Sequence, residues 1–222
     1  MEDAVERAAA LREYAEQTAS CTRCALAQGR TQVVFGSGSP DADLMFVGEA
    51  PGFHEDQQGV PFVGQAGKLL DRLLEGIGLT RADVFVSNVL KCRPPGNRDP
   101  LPDEIAACEP HLFRQIELIE PKLVATLGNF ATKLLSGHPA GITRVHGQEQ
   151  EVTLGARTVH LYPLYHPAAA LYTPAMLRTL EEDFARLLEL LSEPAPSAPA
   201  VQEPLAGVAA AAEPVAEQLG LF

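Results

Sequence analysis

The sequence predicts an α/β fold, and two observations carry that prediction. Four short apolar, β-prone runs, at residues 43–47, 84–90, 122–127 and 158–164, alternate with stretches of helical period. Each run gives way to a polar, Gly-rich or Pro-rich segment: GEAPGFHED, NVLKCRPPGNRDP, LGNFA and YHPAAALY in turn. Strands separated by helices pair in parallel through right-handed crossovers, and the resulting sheet is covered on both faces. Ligands of such sheets bind beyond the carboxyl ends of the strands. Function is therefore expected in those four segments.

Taken in order, residues 4–19 have a helical period in which acids and bases are mixed. They offer neither an apolar core nor a small-residue cleavage site, so no secretion signal is expected there. The strand DLMFV (43–47) is followed by a helix over 64–77, and VFVSNVL (84–90) by one over 102–119. KLVATL (122–127) leads into a helix over 129–135, and TVHLYPL (158–164) precedes a last helix over 174–191. With 222 residues, 46% hydrophobic and 21% charged, the chain can bury a sizeable core, and no apolar run approaches the ~18 residues that span a bilayer. No membrane partner is expected, and the location expected is the cytoplasm, at the nucleoid.

The net charge is −12, from 17 Lys and Arg against 29 Asp and Glu, which taken alone argues against nucleic acid. Four of those acids, Glu193, Glu203, Glu213 and Glu217, lie in a C-terminal stretch without a base, so local clusters matter more than the sum. The densest basic run is Lys91, Arg93 and Arg98 in the Pro- and Gly-broken segment after the second strand, with Arg144 and His146 in another Gly-flanked stretch. These are the candidate DNA contacts.

The organisation expected is a domain over 1–192, an Ala/Pro-rich linker over 193–217 and a terminal peptide over 218–222. Prolines at 194, 196, 199, 204 and 214 forbid continuous helix or sheet in the linker. The end of the chain, QLGLF, places Gln218, Leu219, Leu221 and Phe222 at the tip of a tether, which is the pattern of a docking peptide. It resembles the sliding-clamp-binding peptide of bacterial DNA replication and repair proteins.

Four cysteines stand at 21, 24, 92 and 108. In a cytosolic chain a C-x2-C pair with two distant partners favours a metal site over disulfides, and four thiolates suit either zinc or a four-iron cluster. Such a site would staple the N-terminal helix and the basic loop onto the domain.

Cys21-x2-Cys24, GEAPG with Glu55 and Asp56, PFVGQAGKLLD, NVLKCRPPGNRDP, Cys108 and the pair His166-Pro167 together resemble the family 4 uracil-DNA glycosylases, the iron-sulfur branch of that superfamily. The resemblance spans roughly residues 15–190. It implies a three-layer α/β/α sandwich on a central four-stranded parallel sheet, and a [4Fe-4S] cluster on Cys21, Cys24, Cys92 and Cys108. It also implies roles. Asn88 reads uracil, Phe62 stacks on it, His166 stabilises the leaving group, and Glu49 with the Ala50 amide lines the pocket. Ala50 stands where better-known uracil glycosylases carry a water-activating Asp. Glu49 is the expected water-orienting group, and Glu55 is expected to guard the pocket against the thymine methyl.

The residue chemistry agrees with those roles. A carboxamide accepts from uracil N3–H while donating to O4, a pattern cytosine cannot match. The base must be turned out of the stack to be read. A donor at O2 stabilises the pyrimidine anion that departs. The only lysines are 68, 91, 122 and 133, none in a motif for a Schiff-base nucleophile, so a monofunctional hydrolase leaving an abasic site is expected. Covalent capture of DNA is not expected, because the KRRIH motif of a related branch is missing. Leu171 and Tyr172 are candidate wedges for the space of the extruded base. The partner expected is uracil-containing DNA, single- or double-stranded, bound by a monomer. The competing readings are a non-catalytic iron-sulfur or zinc protein that binds damaged or single-stranded DNA, and an electron-transfer protein.

Overall fold

The computed structural model describes residues 2–196. The expected linker from residue 197 onward and the expected docking peptide lie outside the described residues. The elements in order are α1 (Glu2–Ala19), β1 (Ser37–Gly38), β2 (Leu44–Gly48), α2 (Phe53–Gln58), α3 (Gln65–Gly76) and β3 (Phe85–Asn88). They continue with α4 (Pro102–Ile119), β4 (Leu123–Leu127), α5 (Asn129–Ser136), α6 (Ile142–Val145), β5 (Gln150–Leu154), β6 (Arg157–Leu164), α7 (Pro167–Ala170) and α8 (Pro174–Ser192).

One sheet of six strands runs in the order β1-β3-β2-β4-β6-β5. Its centre is the expected parallel set, β3, β2, β4 and β6. Two antiparallel edge strands, β1 and β5, extend the expected four-stranded sheet. They escape sequence reading for different reasons. β1 is two residues long, and β5 (QEVTL) exposes polar and charged side chains at its outer positions, so neither forms an apolar run.

Alternation along the strands sorts the core into two faces. Met45 and Val47 of β2 join Leu11 of α1 and Leu112 and Ile116 of α4 on one face. Leu44 and Phe46 join Leu70 and Leu74 of α3 and Leu180, Phe184 and Leu187 of α8 on the other. Phe46 stacks on Phe184 with ring centroids 5.6 Å apart. Helical spacing of those leucines puts them on one stripe, and full burial of each such side chain contributes about 1.5–3 kcal/mol. The layers are therefore helix, sheet, helix. Among the described residues no helix is long and apolar enough to cross a membrane.

Register sets up the site. Gly48 at the end of β2 lies opposite Asn88 at the end of β3, and Leu127 of β4 lies opposite Leu164 of β6. All four parallel strands thus stop at one rim, from which the loops rise.

Candidate active site and thiolate centre

A cavity of about 530 Å³ opens at that rim, walled by Asn88, Phe62, His166, Ala50, Glu55 and residues near them. Asn88 is 2% exposed, and its carbonyl accepts a hydrogen bond from Lys91 Nζ. Among the described residues no hydrogen bond reaches its carboxamide, which leaves the donor and acceptor available to a ligand. Glycine at 48 makes the juxtaposition possible. A Cβ there would collide with Asn88 Oδ1 and would lie 2.7 Å from Phe62 Cζ.

Phe62 is held in a left-handed backbone conformation, φ 55°, which a phenylalanine adopts only when its surroundings impose it. Three contacts impose it. Arg81 Nη2 donates to the Phe62 carbonyl at 2.9 Å, while Arg81 Nε donates to Asp71 at 2.5 Å. Gly67 of α3 lies against that same carbonyl, where a Cβ would clash. Glu55 of α2 accepts from the amides of Val63 and Gly64 at 3.0 and 3.2 Å. The Glu55 carboxylate therefore fixes the turn that carries Phe62. This is a different task from the expected exclusion of a methyl group. Phe62 also belongs to the apolar core, so its ring is both wall and packing.

His166 caps α7, and its Nδ1 accepts from the Ala168 amide at 3.1 Å. The neutral ring therefore carries its proton on Nε2, as a donor. Burial pushes its pKa down to about 4, opposed by the charge of Glu55. The ring is neutral at physiological pH and stacks on Phe62 with centroids 5.6 Å apart. Gly128, at φ 95°, lies where a Cβ would approach His166 Cβ to 3.1 Å. Glu49 directly follows β2 but is not part of the cavity wall. Burial, and secondarily the charge of Asp99, raise its carboxyl above the ordinary range.

The four cysteines line one small cavity between α1, the loop after β3 and α4, and none forms a disulfide. Cys92 and Cys108 are buried. Burial pushes the Cys92 thiol up to about 11 and raises that of Cys108, so thiolates there need compensating positive charge. The surroundings supply N–H donors. Lys91 N donates to Cys108 Sγ at 3.2 Å, Arg30 Nη1 to Cys92 Sγ at 3.5 Å, and His111 Nε2 lies 3.3 Å from Cys21 Sγ. Tyr14 Oη, 2.7 Å from His111 Nδ1, orients that ring. Four cysteines around one space, with donors aimed at three of the sulfurs, fit a cluster held by four thiolates better than a single ion, for which the sulfurs would have to lie closer together.

The sequence matches the family model of the Uracil DNA glycosylase superfamily over residues 35–192. The chain belongs to that superfamily. Among curated proteins it is 48% identical to the Type-4 uracil-DNA glycosylase of Sulfurisphaera tokodaii, over 83% of this chain and 86% of that protein. It is 43% identical to the Type-4 enzyme of Archaeoglobus fulgidus, over 84% of this chain and 96% of that one. With that of Thermotoga maritima it shares 44%, over 69% and 79% respectively.

For a member of the glycosylase superfamily, the basic residues lie in unexpected places. Lys91 is corrected outright as a DNA contact. It is 1% exposed, and its Nζ donates to Ser87 Oγ, the Asn88 carbonyl and Gln115 Oε1 at 2.6–2.7 Å. Three such acceptors need the three protons of an ammonium, although burial pushes the pKa down to about 7 against the opposing charge of Cys108. Arg98 forms a two-pronged pair with buried Glu104 at 2.6 and 2.9 Å, which holds the Glu104 carboxyl below its ordinary range. Arg93 lies over the Phe53 ring at 5.1 Å and donates to Asn97 at 2.6 Å. His146 contacts Asp183 at 3.1 Å, with its ring against Tyr165. Arg144 is exposed. Leu171 packs partly buried against the core, whereas Tyr172 is 89% exposed, the more accessible of the two candidate wedges.

Sequence reasoning missed Phe53, His54 and Asn97 in the cavity wall, His111 beside the cysteines and Gln115 beneath Lys91. A signal existed for the last two. Glu104, Cys108, His111 and Gln115 recur at helical spacing in α4 and are all buried, a polar stripe on an inward face.

Proposed function

We propose that the protein is a uracil-DNA glycosylase, a hydrolase that cleaves the N-glycosidic bond of uracil in DNA, leaves an abasic site and so initiates base excision repair. The observation that carries this reading is the convergence of Asn88, Phe62 and His166 on one cavity at the strand ends. An extruded uracil enters that cavity. Asn88 Oδ1 accepts from uracil N3–H and Nδ2 donates to O4, while Phe62 supplies the aromatic wall. As the C1′–N1 bond breaks, its electron pair goes to N1 and spreads onto O2, where the Nε2–H of neutral His166 donates. Water adds to C1′, and its proton passes to a carboxylate. Glu49 is that base in this reading, and its raised pKa suits it to accept the proton.

Cys21, Cys24, Cys92 and Cys108 would hold a [4Fe-4S] cluster, with structural zinc the alternative occupant; when bound, the group supplies four metal–sulfur bonds that tie α1, the β3 loop and α4 together. Brown colour in anaerobically handled protein distinguishes the two. The protein is read as a cytoplasmic monomer acting on single- or double-stranded DNA, and Gln218–Phe222 as a sliding-clamp peptide. Deleting residues 218–222 should abolish clamp binding and leave excision from short oligonucleotides unchanged; undiminished clamp binding overturns the peptide reading.

The experiment for the activity is excision from a labelled oligonucleotide with one uracil, followed by alkali, for wild type, Asn88→Ala and His166→Ala. Breakage that requires alkali and falls about 10²–10³-fold with His166→Ala is expected. Intact DNA binding without breakage in the wild type would favour a non-catalytic binder of damaged DNA.

A further inference from the structure

We propose that Phe53, backed by Arg93 and Asn97, is a stacking platform at the cavity mouth for the nucleobase next to the uracil in the same strand. The substrate, a strand with one base extruded, is that of the glycosylase reading, on which this subsite rests.

Phe53 and Phe62 both stand in the cavity wall, and they are held in opposite ways. Phe62 is 7% exposed and packs into the core. Phe53, the first residue of α2, is 52% exposed and packs into neither face of the core. A lone exposed phenylalanine calls for no explanation. This one is fixed in place. The Arg93 guanidinium lies over its ring, 5.1 Å from the centroid, and Arg93 Nε donates to Asn97 Oδ1 at 2.6 Å. Gly96 and Asn97 both have left-handed backbone, φ 65° and 55°, a turn that glycine and asparagine tolerate and that sets the Asn97 carboxamide against Arg93. Among the described residues no carboxylate pairs with Arg93, so its charge acts on the face of the ring. The His54 ring meets Phe53 edge-on, with centroids 5.4 Å apart at 77°. A cation covers one face and an imidazole one edge; the other face is left to water.

The position of that open face decides what it takes. It shares a wall with Asn88 and His166, so it stands at the opening through which an extruded base enters. Extrusion uncovers the faces of the bases on either side. A flat π-face is common to all four bases, and an aromatic ring with an arginine behind it holds single strands without reading their sequence. A protein or lipid partner needs a broad apolar patch. Gly52, His54 and Asn97 around Phe53 do not supply one. The stacked base is not the one that reacts, so the platform binds ground state and transition state alike and its effect falls on KM.

The test compares wild type, Phe53→Leu and Phe53→Trp on three single-stranded oligonucleotides with one uracil. One is intact, one carries an abasic analogue in place of the 5′ neighbour, and one carries it in place of the 3′ neighbour. On the intact strand Phe53→Leu should raise KM about tenfold with kcat nearly unchanged, because leucine keeps apolar bulk and loses the π-face. Phe53→Trp should bind at least as well as the wild type. Removing one of the two neighbours should raise the wild-type KM and abolish the difference between wild type and Phe53→Leu. Equal KM for wild type and Phe53→Leu on the intact strand overturns the platform. A difference that persists on all three strands also overturns it, and assigns the ring to the uracil or to its own loop. The melting temperature of Phe53→Leu should match that of the wild type, since the ring lies outside the core. A wild type that excises uracil from every strand while the variants behave alike sinks the platform alone. A wild type that excises nothing sinks the glycosylase reading, and Kd for the same three strands then decides the platform.

Discussion

Two loops rise from neighbouring strands, and they treat their polar groups in opposite ways. The loop after β2, residues 49–64, spends Glu55 on its own backbone and forces Phe62 into a left-handed conformation, with the result that the cavity beside it keeps an unpaired carboxamide in Asn88. The loop after β3, residues 89–101, looks like the cationic face of the molecule in sequence. In the fold its charges are consumed. Lys91 is buried beneath Asn88, Arg98 is locked to Glu104, and Arg93 rests on Phe53. The first loop is organised to leave groups open to a ligand; the second braces the first and the cysteines. A run of bases marks a DNA surface only if the bases reach water.

The sharpest way to break this contrast is to close the open side. Gly48→Ala places a methyl group against both Asn88 and Phe62. Excision should fall by about two orders of magnitude or more, comparable to losing one transition-state donor, while the cysteine site stays filled. Near-normal excision would show that the cavity is looser than its geometry indicates.

Acid stability separates the two regions next. Burial pushes both His111 and His166 down to about 4. An imidazole in the unfolded chain titrates near 6.5. Between about 6.5 and 4 the unfolded state thus binds more protons, so this stability is present above the unfolded value and lost as pH falls through the folded one. The melting temperature should drop across that window. His166→Gln should flatten part of the drop without touching the cysteine site, because His166 is half-buried at the cavity rim whereas His111 lies against Cys21. An unchanged drop in His166→Gln would show that the His166 ring is not held neutral by its surroundings.

The smallest effect concerns DNA. Arg144→Ala should lower the salt dependence of DNA binding by about one phosphate contact, measured as the slope of log K against log salt. Lys91→Met should leave that slope unchanged and weaken the cysteine site and the fold. A shallower slope for Lys91→Met would return the β3 loop to the DNA surface.

Much of this was legible in the chain. The four parallel strands and five longer helices follow from apolar runs and helical period, because buried layers must repeat along the sequence. Gly48, Asn88, Phe62 and His166 stand in motifs whose order survives in the site. What stayed hidden depends on partners distant in sequence. Lys91 becomes a buried cation only when Gln115 of α4 comes within 2.6 Å, and Glu55 becomes a backbone anchor only when residues 63 and 64 fold back on it. β5 carries charge on its outward positions and so resembles a loop until β6 pairs with it.

The point at which the chain leaves α8 has a consequence for access to the cavity. Pro194 is bonded to His160 at the amino ends of the strands, while the base-reading cavity opens at their carboxyl ends. The described chain therefore leaves the domain on the face away from the cavity. The last described turn of the chain thus stands clear of the rim, and a base that enters meets only Asn88, Phe62, His166 and their neighbours.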